Sequence, residues 1–126
     1  MRKDAQRHLQ SAAMFLQESQ HLFSGGFYNG TVGRAYYAMF HAATAALLAQ
    51  GIERTSHHAI ISAFGEFLAK PGLVDAKFHK YIIEAFTLRN DCDYLAPLEA
   101  DESQAAATLQ KAREFVEVCR TLCESS

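Results

Sequence analysis

Between residues 4 and 23 the apolar positions Leu9, Ala12, Ala13, Leu16 and Phe23 recur at helical spacing, and Ser24-Gly25-Gly26 then breaks the pattern. This predicts a first helix. From about residue 31 to residue 50 the chain reads TVGRAYYAMFHAATAALLAQ, apolar on nearly every side, and it ends at Gly51, a residue suited to a left-handed C-terminal cap. An all-round apolar helix needs neighbours on several faces, so this second helix is predicted at the centre of a bundle or at a subunit interface.

A short third helix is predicted from about residue 56 to residue 70, with Ile60, Phe64, Phe67 and Leu68 inward and Pro71-Gly72 at its end. A fourth follows from about residue 75 to residue 94, carrying Phe78, Ile82, Ala85 and Phe86, and must stop by Pro97, which disfavours helical geometry at Ala96. The fifth has the clearest start. Asp101 caps it with Gln104 reaching back, and Ala105, Leu109, Ala112, Val116, Cys119 and Cys123 form one narrow stripe. Short polar links and the lack of any period-two segment point to an all-α, up-and-down bundle of four main helices plus a short one. Phe15 or Leu16, Met39, Phe40, Phe64, Ile82 and Leu109 are its expected core.

Composition narrows the class. A chain of 126 residues, 49% hydrophobic and 21% charged, suits one domain over residues 1–126 with one core. Its net charge of −2 provides no global positive field, so any RNA contact has to be local. Cys92, Cys119 and Cys123 are odd in number and lack C-x-x-C spacing, which fits reduced thiols and a cytoplasmic location. No apolar run approaches the ~18 residues that a membrane span requires. The motifs G-x-x-x-x-G-K, G-x-S-x-G and H-E-x-x-H are absent from the sequence, which removes the usual grounds for a nucleotide hydrolase, an esterase or a metalloprotease.

Two clusters could carry chemistry. On the second helix Arg34, Tyr37 and His41 share a face. Either they line a groove, or the tyrosines fill core volume while Arg34 pairs locally. The fourth helix ends in LRNDCDYLAP, where Arg89, Asn90 and Asp93 fall on one face and Tyr94 lies a turn beyond Asn90. A guanidinium, an amide and carboxylates within two turns make a candidate anion or ribose site. An Arg-to-Asp step of this spacing also fits an ordinary surface ion pair, worth ~0.3–0.5 kcal/mol. His57 and His58 are adjacent and diverge on a helix, so they lack the spacing of a helical metal pair. His8, His21 and His79 read as isolated exposed residues, and neither a metal nor a cofactor is expected.

Taken together, RAYYAMFHAA, SHHAIISAFGEFLAK and LRNDCDY resemble the small stand-alone branch of the HEPN family over most of the chain. The resemblance implies a helical bundle, commonly a symmetric homodimer in which the two fourth-helix motifs approach each other. It also implies a nucleotidyltransferase partner in a toxin–antitoxin-like module and a nucleotide or RNA as ligand. Ribonuclease members of the family carry an arginine followed, after four to six residues, by a histidine, and need no metal. Arg89 matches that arginine; Tyr94, Leu95 and Ala96 occupy the three positions open to the histidine. A phenol with a pKa near 10 does not exchange protons at neutral pH as an imidazole does. The expected function is therefore a non-catalytic or weakly catalytic nucleotide- or RNA-associated component. The alternatives are a metal-independent ribonuclease toxin, with Arg89 assisted by Tyr94 or His41, and a structural, substrate-presenting subunit.

Overall fold

The long apolar stretch that begins the fold's centre starts earlier than its composition predicts. In the computed structural model, which describes residues 1–95 and 99–125, α1 spans Lys3–Ser24 and α2 spans Tyr28–Ala49. The helix thus takes in Tyr28, Asn29 and Gly30, ahead of the start expected near residue 31, and Gly30 lies against Leu22 of α1. A Cβ on Gly30 would lie 3.0 Å from Leu22 Cδ1, so the bare glycine lets the two helices meet closely. α3 spans His57–Ala63 and continues as a π-helical turn over Phe64–Ala69; α4 spans Ala76–Tyr94 and α5 spans Glu102–Glu124. Among the described residues there is no strand, and the all-α bundle is the architecture. Ala96 and Pro97 lie outside the described residues.

The predicted caps act as chemistry requires. Gly51 takes a φ of 77°, the left-handed geometry expected after α2. Ser56 accepts the Ala59 amide at the start of α3. At α5 the Asp101 carboxylate accepts from the Gln104 amide at 2.7 Å and the Gln104 side chain accepts from the Asp101 amide at 3.0 Å, a complete capping box.

α2 is the central helix, with twelve buried residues drawn from every side. α1 and α5 cover most of it, and α3 and α4 close the remainder. Its apolar surface is thus met within one chain and gives no reason for a second copy. Of the residues expected in the core, Met39, Phe64, Ile82 and Leu109 are buried, whereas Phe15, Leu16 and Phe40 pack against it with one edge open. Tyr36, Leu47, Ile60, Leu68 and Phe115 are among the other large buried side chains. Phe64 and Phe115 stack with ring centres 4.9 Å apart, tying the α3 segment to α5.

Exposed apolar side chains lie elsewhere, at Met14, Phe27, Leu73, Ile83, Tyr94 and Leu95. Among the described residues no helix is long and apolar enough to cross a membrane.

Candidate functional site

The last turns of α4 run beside the middle of α2, and this packing turns a helical spacing pattern into a site. Arg89 leaves α4 with only 20% of its side chain exposed. One terminal nitrogen, Nη2, donates to the Tyr37 hydroxyl at 2.9 Å, and the other, Nη1, donates to Asn90 Oδ1 at 3.2 Å. Nε faces Asp93 Oδ2 at 3.1 Å. The guanidinium carbon sits 5.1 Å from the centre of the Tyr37 ring and 5.9 Å from that of Tyr36, within the range of cation–π attraction.

A guanidinium has five N–H donors in a fixed planar fork. Each terminal nitrogen uses one here, with Nε turned to Asp93, so both terminal nitrogens keep a further donor for an anion. Asp93 is 45% exposed and is the sole charged partner of Arg89 among the described residues. The carboxylate balances the buried charge from the solvent side, where an incoming phosphate would compete with it.

An imidazole also stands at this site, but it comes from α3. Tyr36 is fully buried, and its hydroxyl lies 2.5 Å from His57 Nδ1. The His57 ring stacks on Phe40 with centres 4.3 Å apart and meets Tyr37 edge-on at 6.0 Å. Burial, and then the positive charges of Arg89 and His58, push the His57 pKa below its ordinary value. Burial pushes the Tyr36 hydroxyl above its own, so the phenol keeps its proton. Neither residue stands out by spacing: His57 is only the neighbour of His58 in the sequence, and Tyr36 only one more aromatic in an apolar helix. The Ser-His start of the third helix, beside a tyrosine pair on the second, was the available signal.

Arg89, Asn90, Asp93 and Tyr37 are brought together. The other expected site residues go elsewhere. Arg34 turns toward α1, where it sits 3.6 Å from Glu18 and over the Phe15 ring. One turn separates it from Tyr37, and α1 covers that side of α2 and captures it. His41 likewise faces α1, with Nδ1 3.0 Å from His8 Nδ1 and its ring stacked on Phe15. Tyr94 is 75% exposed, pointing away from the bundle. His8 and His79, read from the sequence as isolated, both have partners, the latter through Nε2 and the Ile61 carbonyl at 3.1 Å. Among the described residues no three His, Cys, Asp or Glu side chains converge as metal ligands.

The arrangement is suited to holding an anion against aromatic faces. Comparison with known proteins points to the same family as the motifs. A HEPN domain model matches residues 5–122. Two proteins of Methanocaldococcus jannaschii, both named "Putative toxin", are each 29% identical to the chain; the matches cover 91% of this chain and 78% of the first relative, and 93% and 87% for the second. A UPF0332 protein of Gloeobacter violaceus is 36% identical over 75% of both chains. With the domain match extending over nearly the whole bundle, the chain belongs to the HEPN family.

Proposed function

We propose that this protein is a non-catalytic or weakly catalytic HEPN component of a toxin–antitoxin-like module, and that it binds the phosphate of a nucleotide or RNA through Arg89. The observation that carries this reading is the state of Arg89 itself. It is a mostly buried guanidinium, positioned by the Tyr37 hydroxyl, with its charge balanced by one displaceable carboxylate. Such a group is pre-oriented for bidentate contact with phosphate, and its flanking aromatic faces suit a base or ribose. Relatives named as toxins support the module, and a minimal nucleotidyltransferase is the partner proposed for it.

The absence of an imidazole at the motif's expected positions favours binding over cleavage. The ribonuclease-toxin reading retains one supporting observation, the names of those two relatives. A homodimer belongs to the same proposal, now assigned to the α4 side, where Ile83, Tyr94 and Leu95 are exposed. Sedimentation at micromolar concentration is expected to give a dimer, and a monomer would remove that part.

Calorimetric titration with AMP and with a short single-stranded RNA tests the central reading. Wild type is expected to bind at least one of them, and a folded Arg89→Ala variant neither. Binding that survives the substitution unchanged would reject the site. Co-expression with a nucleotidyltransferase encoded beside the gene tests the partner, and failure of the two to form a complex would reject that assignment.

A further inference from the structure

We propose that His57 is a second phosphate-binding donor of the Arg89 site, with its ring proton fixed on Nε2 by the Tyr36 hydroxyl. The inference rests on the reading that Arg89 takes a phosphate, and it adds a residue from a different helix together with a defined protonation state.

The tautomer follows from burial. The Tyr36 hydroxyl is enclosed, and its hydrogen-bond partner is His57 Nδ1 at 2.5 Å. A proton on Nδ1 would point at the phenol oxygen and leave the phenol's own proton with no acceptor in a buried place, which is costly. The favoured arrangement is therefore phenol donating and Nδ1 accepting. In a neutral imidazole this puts the proton on Nε2. Burial, Arg89 on α4 and His58 on its own helix oppose charging the ring, while on α2 the Tyr36 phenol bonds it, the Tyr37 ring stands edge-on beside it and the Phe40 ring is stacked on its face.

The direction of Nε2 follows as well. Nδ1 faces the buried tyrosine, and Nε2 lies across the ring from it. Among the described residues the hydrogen bond of His57 is made through Nδ1, while no buried side-chain nitrogen or oxygen lacks a partner. Nε2 is therefore not sealed in the core without a partner, and the proposal gives it the phosphate. Arg89 and His57 approach the same two tyrosines, the guanidinium carbon 5.1 Å and the imidazole centre 6.0 Å from the Tyr37 ring centre. The proposal places one phosphate group against both.

This state has a chemical consequence. An imidazole whose accessible nitrogen already carries the proton donates a hydrogen bond but cannot accept the 2′-hydroxyl proton of RNA. His57 then binds phosphate without starting cleavage, which agrees with a non-catalytic component.

Nitrogen-15 NMR of the imidazoles in wild-type protein reads the tautomer directly. Near neutral pH, His57 is expected to show Nε2 protonated and Nδ1 unprotonated, and Tyr36→Phe is expected to give a mixture. Titrations with AMP and with a short single-stranded RNA then read the function. His57→Ala is expected to weaken phosphate binding roughly tenfold, in line with the loss of a hydrogen bond to a charged group. His57→Gln, which restores a donor near the Nε2 position, is expected to recover most of it. Equal losses for both probes place the contact on the phosphate, and a loss confined to RNA overturns that placement. Protonation of Nδ1 in wild type would overturn the proposal, as would unchanged binding by His57→Ala while Arg89→Ala still abolishes it. If Arg89→Ala also binds normally, the phosphate reading itself has failed.

Discussion

Arg89 donates inside the chain through both terminal nitrogens while Nε faces Asp93, and among the described residues only Asp93 gives it a charged partner. Asp93 therefore both orients the guanidinium and opposes an incoming anion. Asp93→Asn is expected to tighten phosphate binding several-fold, while Arg89→Ala abolishes it; calorimetry on folded variants checks both, and weaker binding by Asp93→Asn would contradict the competition. The grouping of Arg89, Asn90 and Asp93 was legible in the sequence because all three ride on one helix, where spacing fixes neighbours. Tyr37 was legible only as a face of α2. The pairing of Tyr36 with His57 was not, because it depends on how α3 lies against α2, and no local pattern encodes that crossing. Arg34 and His41 illustrate the converse: they share the face of Tyr37, yet α1 claims them through Glu18 and His8.

At the scale of elements, the breaks and caps were readable because each depends on a few adjacent residues. Removing the α5 capping box with Asp101→Ala is expected to cost ~1 kcal/mol of stability, measurable by denaturant unfolding. The π-helical turn over Phe64–Ala69 was not readable, since the sequence there keeps an ordinary helical pattern. Its setting is tertiary. The His79 ring of α4 packs against Gly65 and hydrogen-bonds the Ile61 carbonyl, so a Cβ at residue 65 would clash with the imidazole. Gly65→Ala is expected to destabilise the protein by ~1–3 kcal/mol, as overpacking does, despite alanine's better helix propensity. A melting temperature equal to or above that of wild type would show that His79 moves aside freely.

The whole molecule is organised around α2, and one consequence is a set of imidazoles held partly out of water. His8, His41 and His57 all have pKa values pushed below 6.5, in each case first by burial, with neighbouring positive groups adding to the shift at His41 and His57 and Asp4 opposing it at His8. The unfolded chain then takes up protons at a higher pH than the folded one. Stability is full above 6.5 and is lost as pH falls through that value toward the lower folded pKa values. Thermal melts are expected to show a lower Tm at about pH 5.5 than at about pH 7.5, with a smaller difference in His41→Gln, which breaks the imidazole pair between α1 and α2. A flat profile in wild type would contradict this. Bundle class and the central place of α2 were legible from its all-round apolar composition, whereas its cover by the chain's own helices was not, because composition cannot distinguish an intramolecular neighbour from a second copy.

The decisive event is a phosphate landing on Arg89. The Arg89 Nε–H signal, assigned in a nitrogen-15 NMR spectrum and followed while a short single-stranded RNA is added, tests it at the atom concerned. This signal is expected to shift and saturate as the phosphate displaces Asp93. RNA binding that saturates while the Arg89 Nε–H signal stays in place would contradict it.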